Sequence, residues 1–484
     1  MKKLFLLFNS LFFVSFINAQ QLVSIAPLAN FTTAQIQSQL SAYGWNYSNM
    51  SINAVKSYTV IYNTIDAQGN QTIASGAVFI PQLSNCEYAP ITVYEHGTEF
   101  QENNVPSTGS YSNQGTYFST SGYIAVLPDY LGLGASSGYH LYHHAKTEAT
   151  ATIDLIRAVR EYLDTASNTV KDNGQIFITG YSHGGHSAMA THKYIQENNL
   201  QAEFNVVASA PLSGAYALNG AQYDLIFDGD SSYYASPFLP YILAGMQTVY
   251  GNLYTNLNEV YDSPYDVNIQ NLLNDGNSSF YAWYIGIGGA NYYSFMQDSV
   301  LNNMLADINR NTHPINVALM KNNVYDWSPQ TPVRMLYCGA DSMVSPNNST
   351  FTLDTMINLG ATDVMAINLN NNADHNGCFQ PATTYALTWF DSLAQKCIYV
   401  NIGNKIKQAS TNIYPNPATQ YIQLENINLA GKTVKIISVD GKYTYKTTSQ
   451  NNMINIEHLT RNTYILLVYD ENQDIVFKGR FIKE

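Results

Sequence analysis

Short apolar runs alternate with helical periodicity along most of the chain. Residues 57–63 (Ser-Tyr-Thr-Val-Ile-Tyr-Asn) and 73–80 (Ile-Ala-Ser-Gly-Ala-Val-Phe-Ile) have strand composition, and the Gly-containing turn from Asp66 to Asn70 between them predicts a hairpin. Ile91–Tyr94 and Tyr123–Leu127 read as strands, and Ile153, Ile156, Val159 and Leu163 fall on one face of a helix spanning about Ala145–Leu163. A strand at Ile176–Thr179, a helix over Gly184–Glu197 and a strand at Phe204–Ser209 follow. The rhythm resumes at Val333–Cys338, with a helix near Phe351–Leu359, a strand at Val364–Leu369 and a helix at Ala382–Ala394. Short buried strands alternating with helices predict an α/β fold, its mostly parallel sheet covered on both faces.

Two stretches break this rhythm. Residues 217–328 are rich in Tyr, Asn, Ser and Gly, with 13 tyrosines from Tyr223 to Tyr325. A structureless loop of that length in a compact domain is improbable, so the segment is expected to be a cap inserted after the sixth strand. Residues 396–411 read as a linker, which bounds the main domain at 20–395. From residue 412 to 484, short alternating strands (Ile422–Leu424, Thr433–Ser438, Ile454–Ile456, Tyr464–Val468, Ile475–Phe477) are separated by turn residues, predicting a small all-β, sandwich-like domain.

Charge sharpens the division. The 484-residue chain carries a net −13, but residues 412–484 balance at +1 and residues 20–411 at −16. Such acidity leaves no electrostatic footprint for DNA or RNA, so a nucleic-acid partner is excluded. Residues 1–19 have the form of a secretory signal peptide. Lys2 and Lys3 precede an apolar run from Leu4 to Ile17, interrupted at Asn9 and Ser10, and Ala19 stands at the cleavage point. The run is short for a spanning helix of roughly 20 residues, and no later stretch reaches that length, so the mature protein is expected to be exported without a transmembrane segment. Its four cysteines, Cys86, Cys338, Cys378 and Cys397, form no C-x-x-C pair and so argue against a structural zinc site.

The chemistry concentrates at Gly180-Tyr181-Ser182-His183-Gly184, a G-x-S-x-G pattern lying directly after one strand and opening a helix. That setting lifts a serine hydroxyl above the sheet. A hydroxyl becomes a nucleophile when a base takes its proton and a third group orients that base. Asp341 and His375 follow later strands in the order Ser, acid, His, and Asp374 is the rival for the acid. The oxyanion calls for two backbone N–H donors: His183, next to the nucleophile, and Thr98 in Glu95-His96-Gly97-Thr98. The segment Pro128–Gly134 is expected to shape a turn beside the site. His140, His143 and His144, with His183 and His186, could in principle ligate a metal, but the expected role is to line or support the site. No metal and no cofactor are expected.

Together these residues resemble the α/β-hydrolase family over about residues 50–395, which implies that Ser182, Asp341 and His375 are nucleophile, acid and base. His96-Gly97-Thr98, Pro128–Gly134, the elbow and the large cap look most like secretory lipases and related esterases. The C-terminal domain resembles the sorting domain read by the type IX secretion system, in Ile413-Tyr-Pro-Asn-Pro-Ala418, Val439-Asp-Gly-Lys442, Ile454-Asn-Ile456, Tyr464–Leu467 and Lys478–Lys483. It departs from that pattern at Asn462-Thr463, where Gly is usual; Asn also tolerates positive φ. This resemblance implies export across both membranes, removal of the domain, and release or surface attachment.

The reading is a secreted carboxylic ester hydrolase acting through an acyl-enzyme. Tyr-rich cap walls and the −16 charge favour neutral, partly apolar esters over anionic substrates. The alternatives are a serine peptidase of the prolyl-oligopeptidase type and a surface binding protein on a hydrolase scaffold. A triad would bring the segments around Asp341 and His375 together, so Cys338, three residues before the one, and Cys378, three after the other, are expected to pair. That leaves Cys86 and Cys397 paired or free.

Overall fold

The computed structural model describes residues 20–396 and 413–484, apart from 46, 48–49, 85, 166–167, 228–235, 290–291, 426, 431, 439–443, 449–451 and 470–474. The expected signal peptide and nearly all of the expected linker lie outside these residues.

Strand-forming runs become β1 (Leu22–Phe31), β2 (Val55–Ile65), β3 (Gln71–Pro81), β4 (Tyr88–Glu95), β5 (Ile124–Pro128), β6 (Lys171–Tyr181), β7 (Asn205–Leu212), β8 (Val333–Tyr337) and β9 (Val364–Asn368). They form one sheet in the order β1-β2-β3-β5-β4-β6-β7-β8-β9. β1 to β3 are antiparallel, β3 meets β5 antiparallel, and β5 through β9 are parallel.

The helices of the main layer are α1 (Thr33–Ala42), α2 (Ser112–Thr120), α3 (Ala145–Leu163) and α4 (His183–Glu197). Side chains alternate across the sheet, as the period of two requires. Ile124 and Val126 of β5 join Ile153 and Ile156 of α3 in one core. Ala125 and Leu127 face the other way, toward Phe118 of α2.

β1 was not evident in the pattern. Its Pro27 lacks the N–H of a ladder donor, which an edge strand tolerates, and the register with β2 slips between Pro27 and Ala29. The sixth strand read from the sequence is therefore β7, and the cap follows it. The cap is helical: α5 (Ala221–Ile226), α6 (Phe238–Tyr250), α7 (Tyr265–Asp275), α8 (Phe280–Gly286), α9 (Asp298–Ala306) and α10 (Pro314–Met320). These close over a core that includes Met246, Tyr261, Ile269, Trp283 and Phe295 and is completed by Phe100, Tyr142 and Val344 from outside the cap. The expected tyrosine-rich walls are thus partly the interior of a small helical layer.

After the cap come α11 (Asn347–Asn358) and α12 (His375–Leu393). α12 begins seven residues before the expected Ala382. The apolar periodicity starts only at that residue, but Asp374 caps the earlier N-terminus and Pro381 is accommodated within the helix.

The C-terminal unit contains β10 (Ile413–Tyr414), β11 (Tyr421–Leu424), β12 (Thr433–Ser438), β13 (Thr444–Thr448), β14 (Met453–Asn455), β15 (Asn462–Tyr469) and β16 (Ile475–Lys483). They make a three-stranded sheet, β10-β11-β14, and a four-stranded sheet, β13-β12-β15-β16. Both sheets contribute to one core, with Ile422 and Ile454 from the first and Ile436, Leu466 and Phe481 from the second. Backbone contacts divide the described residues into two compact units, 20–396 and 413–484.

Candidate active site

β6 lies between β4 and β7 and turns at its C-terminal end directly into α4. Ser182 stands in the turn with φ 62° and ψ −120°, a left-handed φ that costs a non-glycine residue on the order of 1–3 kcal/mol. The Ser182 amide donates to the Leu212 carbonyl at 2.9 Å, and its own carbonyl accepts from Gly185 at 2.9 Å. The flanking glycines are required by close approach. A Cβ on Gly184 would lie 2.0 Å from the Glu95 carbonyl oxygen, and one on Gly180 would lie 2.3 Å from that of Gly184.

Asp341 lies in the loop after β8 and His375 in the first turn of α12, and His375 Nδ1 is 2.6 Å from Asp341 Oδ2. The other carboxylate oxygen accepts the amides of Met343 and Val344 at 3.0 and 2.8 Å, so the acid is fixed before it meets the ring. The two loops are joined by backbone: Gly339 donates to Asn370 and Ala340 to Ala373. They are also joined covalently by the Cys338–Cys378 disulfide, the pairing expected from sequence; Cys397 lies outside the described residues. Asp374, the rival acid, spends a carboxylate oxygen on the Gly377 amide at 2.8 Å, as the N-cap of α12. The Tyr181 hydroxyl donates to the His375 carbonyl, and the two rings pack at 5.0 Å.

Ser182, His375, Gly97 and Thr98 line one open cleft with Phe100 and Phe379. A second, narrower channel leads from Ser182 and His183 into the cap between α5 and α6, past Leu218, Tyr223, Phe238 and Ile242. Thr98 is held by a 2.7 Å hydrogen bond between its hydroxyl and that of Tyr142. His96 is buried against Tyr130, and burial pushes its pKa down to about 4. Asp129 of the Pro128–Gly134 segment accepts from the Ser107 amide and the Ser75 hydroxyl, which makes that segment a turn support. Burial raises the Asp129 carboxyl to about 6.

The histidines read from sequence gather around a residue that was not read, Glu148 of α3. It is buried within hydrogen-bond reach of His183 and His186. Burial alone would raise its pKa, but the facing His183 and His186 outweigh it and hold the carboxyl well below its ordinary value. Nearby, Glu95 at the end of β4 is raised to about 8, chiefly by burial. His143, Glu148 and His186 bring one donor atom each within 4.8 Å of one another, the grouping among the described residues best placed for an ion. The signal for Glu148 was its place four and eight positions before Thr152 and Ile156, on the helix face that packs inward.

A mostly parallel sheet with a strand–serine–helix elbow at its carboxyl edge and an acid–histidine pair on later loops defines an α/β-hydrolase. The chain belongs to the secretory lipase family, whose pattern it matches over residues 117–396. Among solved structures it is similar to LipA, a rice cell wall degrading esterase from Xanthomonas oryzae. The two are 26% identical over 78% of this chain and 98% of LipA, with a TM-score of 0.68. It shares its fold with a Legionella pneumophila protein (23% identity, 77% and 98% coverage, TM-score 0.69). The fold is also that of Candida antarctica lipase A in its closed state (15% identity, 78% and 84% coverage, TM-score 0.54). No curated protein matches the chain.

Residues 412–484 match the secretion-system C-terminal sorting domain. The protein is thus a lipase/esterase-type hydrolase that engages the type IX secretion machinery and is secreted or attached to the cell surface. Among the described residues, no helix is long and apolar enough to cross a membrane.

Proposed function

We propose that the protein hydrolyses neutral, partly apolar carboxylic esters through Ser182, His375 and Asp341. The observation that carries this reading is the 2.6 Å Asp341–His375 pair, whose imidazole shares a cleft with a serine held in a strained elbow. Ser182 Oγ attacks the ester carbonyl while His375 Nε2 takes its proton, and Asp341 fixes the ring with Nδ1–H toward the acid. The tetrahedral oxyanion is received by the backbone N–H groups of His183 and Thr98. Collapse expels the alcohol, protonated by His375, and leaves an acyl-enzyme. Water activated by the same histidine then releases the acid and restores Ser182. The apolar channel between α5 and α6 opens at Ser182 and suits the acyl chain, while the wider cleft suits the alcohol.

Residues 1–19 direct export across the inner membrane, 20–395 form the catalytic domain with its cap at 217–328, 396–411 link the two units, and 412–484 are removed after passage through the outer membrane. The test is turnover of p-nitrophenyl esters from acetate to palmitate beside a panel of peptide anilides, for wild type and Ser182→Ala. Ester turnover should fall by on the order of 10⁴-fold or more in the variant. Turnover of anilides without esters would assign the site to a peptidase instead. Absence of both would leave a binding protein.

A further inference from the structure

The Glu148 side chain is only 1% exposed, yet it lies on the face of α3 that packs toward the interior. A buried carboxylate is costly unless hydrogen-bonded partners replace the lost water. Three partners do so, and all come from the beginning of α4. Glu148 Oε1 is 2.6 Å from His183 Nε2. Oε2 is 3.0 Å from His186 Nδ1 and accepts the Ser187 hydroxyl at 2.7 Å.

The other ring nitrogen of His186 lies 2.9 Å from the Asn322 carbonyl, which can only accept. Both nitrogens of His186 therefore face oxygen atoms, and the ring bridges the Glu148 carboxylate to the Asn322 backbone. His183 donates through Nε2, and its Nδ1 has no partner among the described residues, so Glu148 is the anchor of that ring. Asn322 extends the network into the cap, donating to the Ala318 carbonyl of α10 and the Tyr250 hydroxyl of α6.

The first residue of α4 is thus held by its side chain, while its amide is one of the N–H groups that a helix N-terminus leaves without an intrahelical partner. We propose that Glu148 is a positioning residue for the reaction, fixing through the His183 imidazole the backbone N–H that receives the oxyanion, and steadying through His186 and Ser187 the helix start that carries it. This rests on the assignment of Ser182 and the His183 amide given above. The strained φ of Ser182 persists only where its surroundings over-determine it, and the clamp bears on the residue that follows.

The test is Glu148→Gln, close in shape but offering one acceptor oxygen and an amide NH2 that opposes the donors around it. Turnover per phosphonate-titrated site should fall about 10- to 100-fold with KM within about threefold, since a misplacement of about 1 Å can cost on the order of 10². His183→Ala should lose a similar factor. The double variant should fall no further than the worse single one, because both remove the same hold on one amide. Independently of turnover, amide hydrogen exchange in residues 182–188 should quicken in Glu148→Gln while the rest of the sheet is unchanged.

Full turnover per titrated site in either variant would overturn the proposal, as would multiplicative losses in the double variant. So would a stoichiometric metal ion in wild type that Glu148→Gln loses, which would make the carboxylate a ligand instead. Should Glu148→Gln fail to fold, His183→Ala alone decides the kinetic arm. Should wild type show no Ser182-dependent ester turnover, the functional reading fails, and the exchange result still decides whether the clamp exists.

Discussion

Asp341 and Asp374 compete for His375 in sequence, and their hydrogen bonds separate their roles. Asp341 reaches the imidazole while two amides hold its far oxygen, whereas Asp374 caps the helix that begins at His375. Asp341→Asn should therefore lower kcat by on the order of 10⁴-fold with the fold intact. Asp374→Ala should instead cost about 1 kcal/mol of stability. Its kcat per active site should stay close to that of wild type, and a matching collapse in the two variants would refute the division of labour.

A second pair of carboxylates is split by its surroundings. Glu148, facing two histidines, is held low, and Glu95, facing threonine hydroxyls in the core, is pushed up to about 8 by burial. The unfolded chain ionises such a group near about 4.3. Between those values the folded state binds more protons than the unfolded one, so Glu95 removes stability as pH rises from about 4.3 toward about 8. Melting temperature should decline less across that window in Glu95→Gln than in wild type. Parallel curves would show that Glu95 does not titrate as its burial implies.

Among the elements, the loop after β8 and the start of α12 matter most, because they carry the proposed acid and base. The Cys338–Cys378 bridge spans a sequence separation of 40, for which the chain-entropy model gives about 4 kcal/mol of stabilisation. Replacing both cysteines by alanine should lower stability by a few kcal/mol. It should also reduce kcat more than KM, since hydrogen bonds, the Asp341–His375 pair among them, then replace a covalent tie between the two loops. Unchanged thermal stability in the double variant would deny the bridge that role.

Legibility in the sequence followed how locally each element is determined. The parallel strands, α3 and the elbow announce themselves through continuous apolar runs, one-faced periodicity and glycines placed by steric need. β1 and α2 do not. β1 is an edge strand with a proline, and Ser112–Thr120 is a run of mostly small and polar residues buried by what surrounds it. Gly115 is forced by the Phe79 ring, 2.4 Å from where its Cβ would stand, a constraint from a distant strand. The cap could be delimited but not folded from its pattern, because its short helices pack on one another rather than on the sheet. Ser182, Asp341 and His375 could be proposed from order and strand placement. Glu148 could not, since its meaning depends on which part of α4 lies opposite.

At the scale of the whole molecule, the uneven charge separates two jobs, catalysis in an acidic unit and export through a nearly neutral β module. The described residues divide into two compact units, 20–396 and 413–484. A chain ending at Ser410 should therefore keep the ester kcat/KM and melting behaviour of the full protein while failing to leave the cell. A loss of folding would mean that the second unit stabilises the first.

Covalent labelling tests most directly whether Ser182 is the nucleophile of an ester hydrolase. A fluorescent alkyl phosphonate should add once per chain, with peptide mapping placing the adduct on Ser182 and loss of p-nitrophenyl ester turnover in proportion to labelling. An adduct on another residue, or ester turnover that survives complete labelling of Ser182, would contradict it.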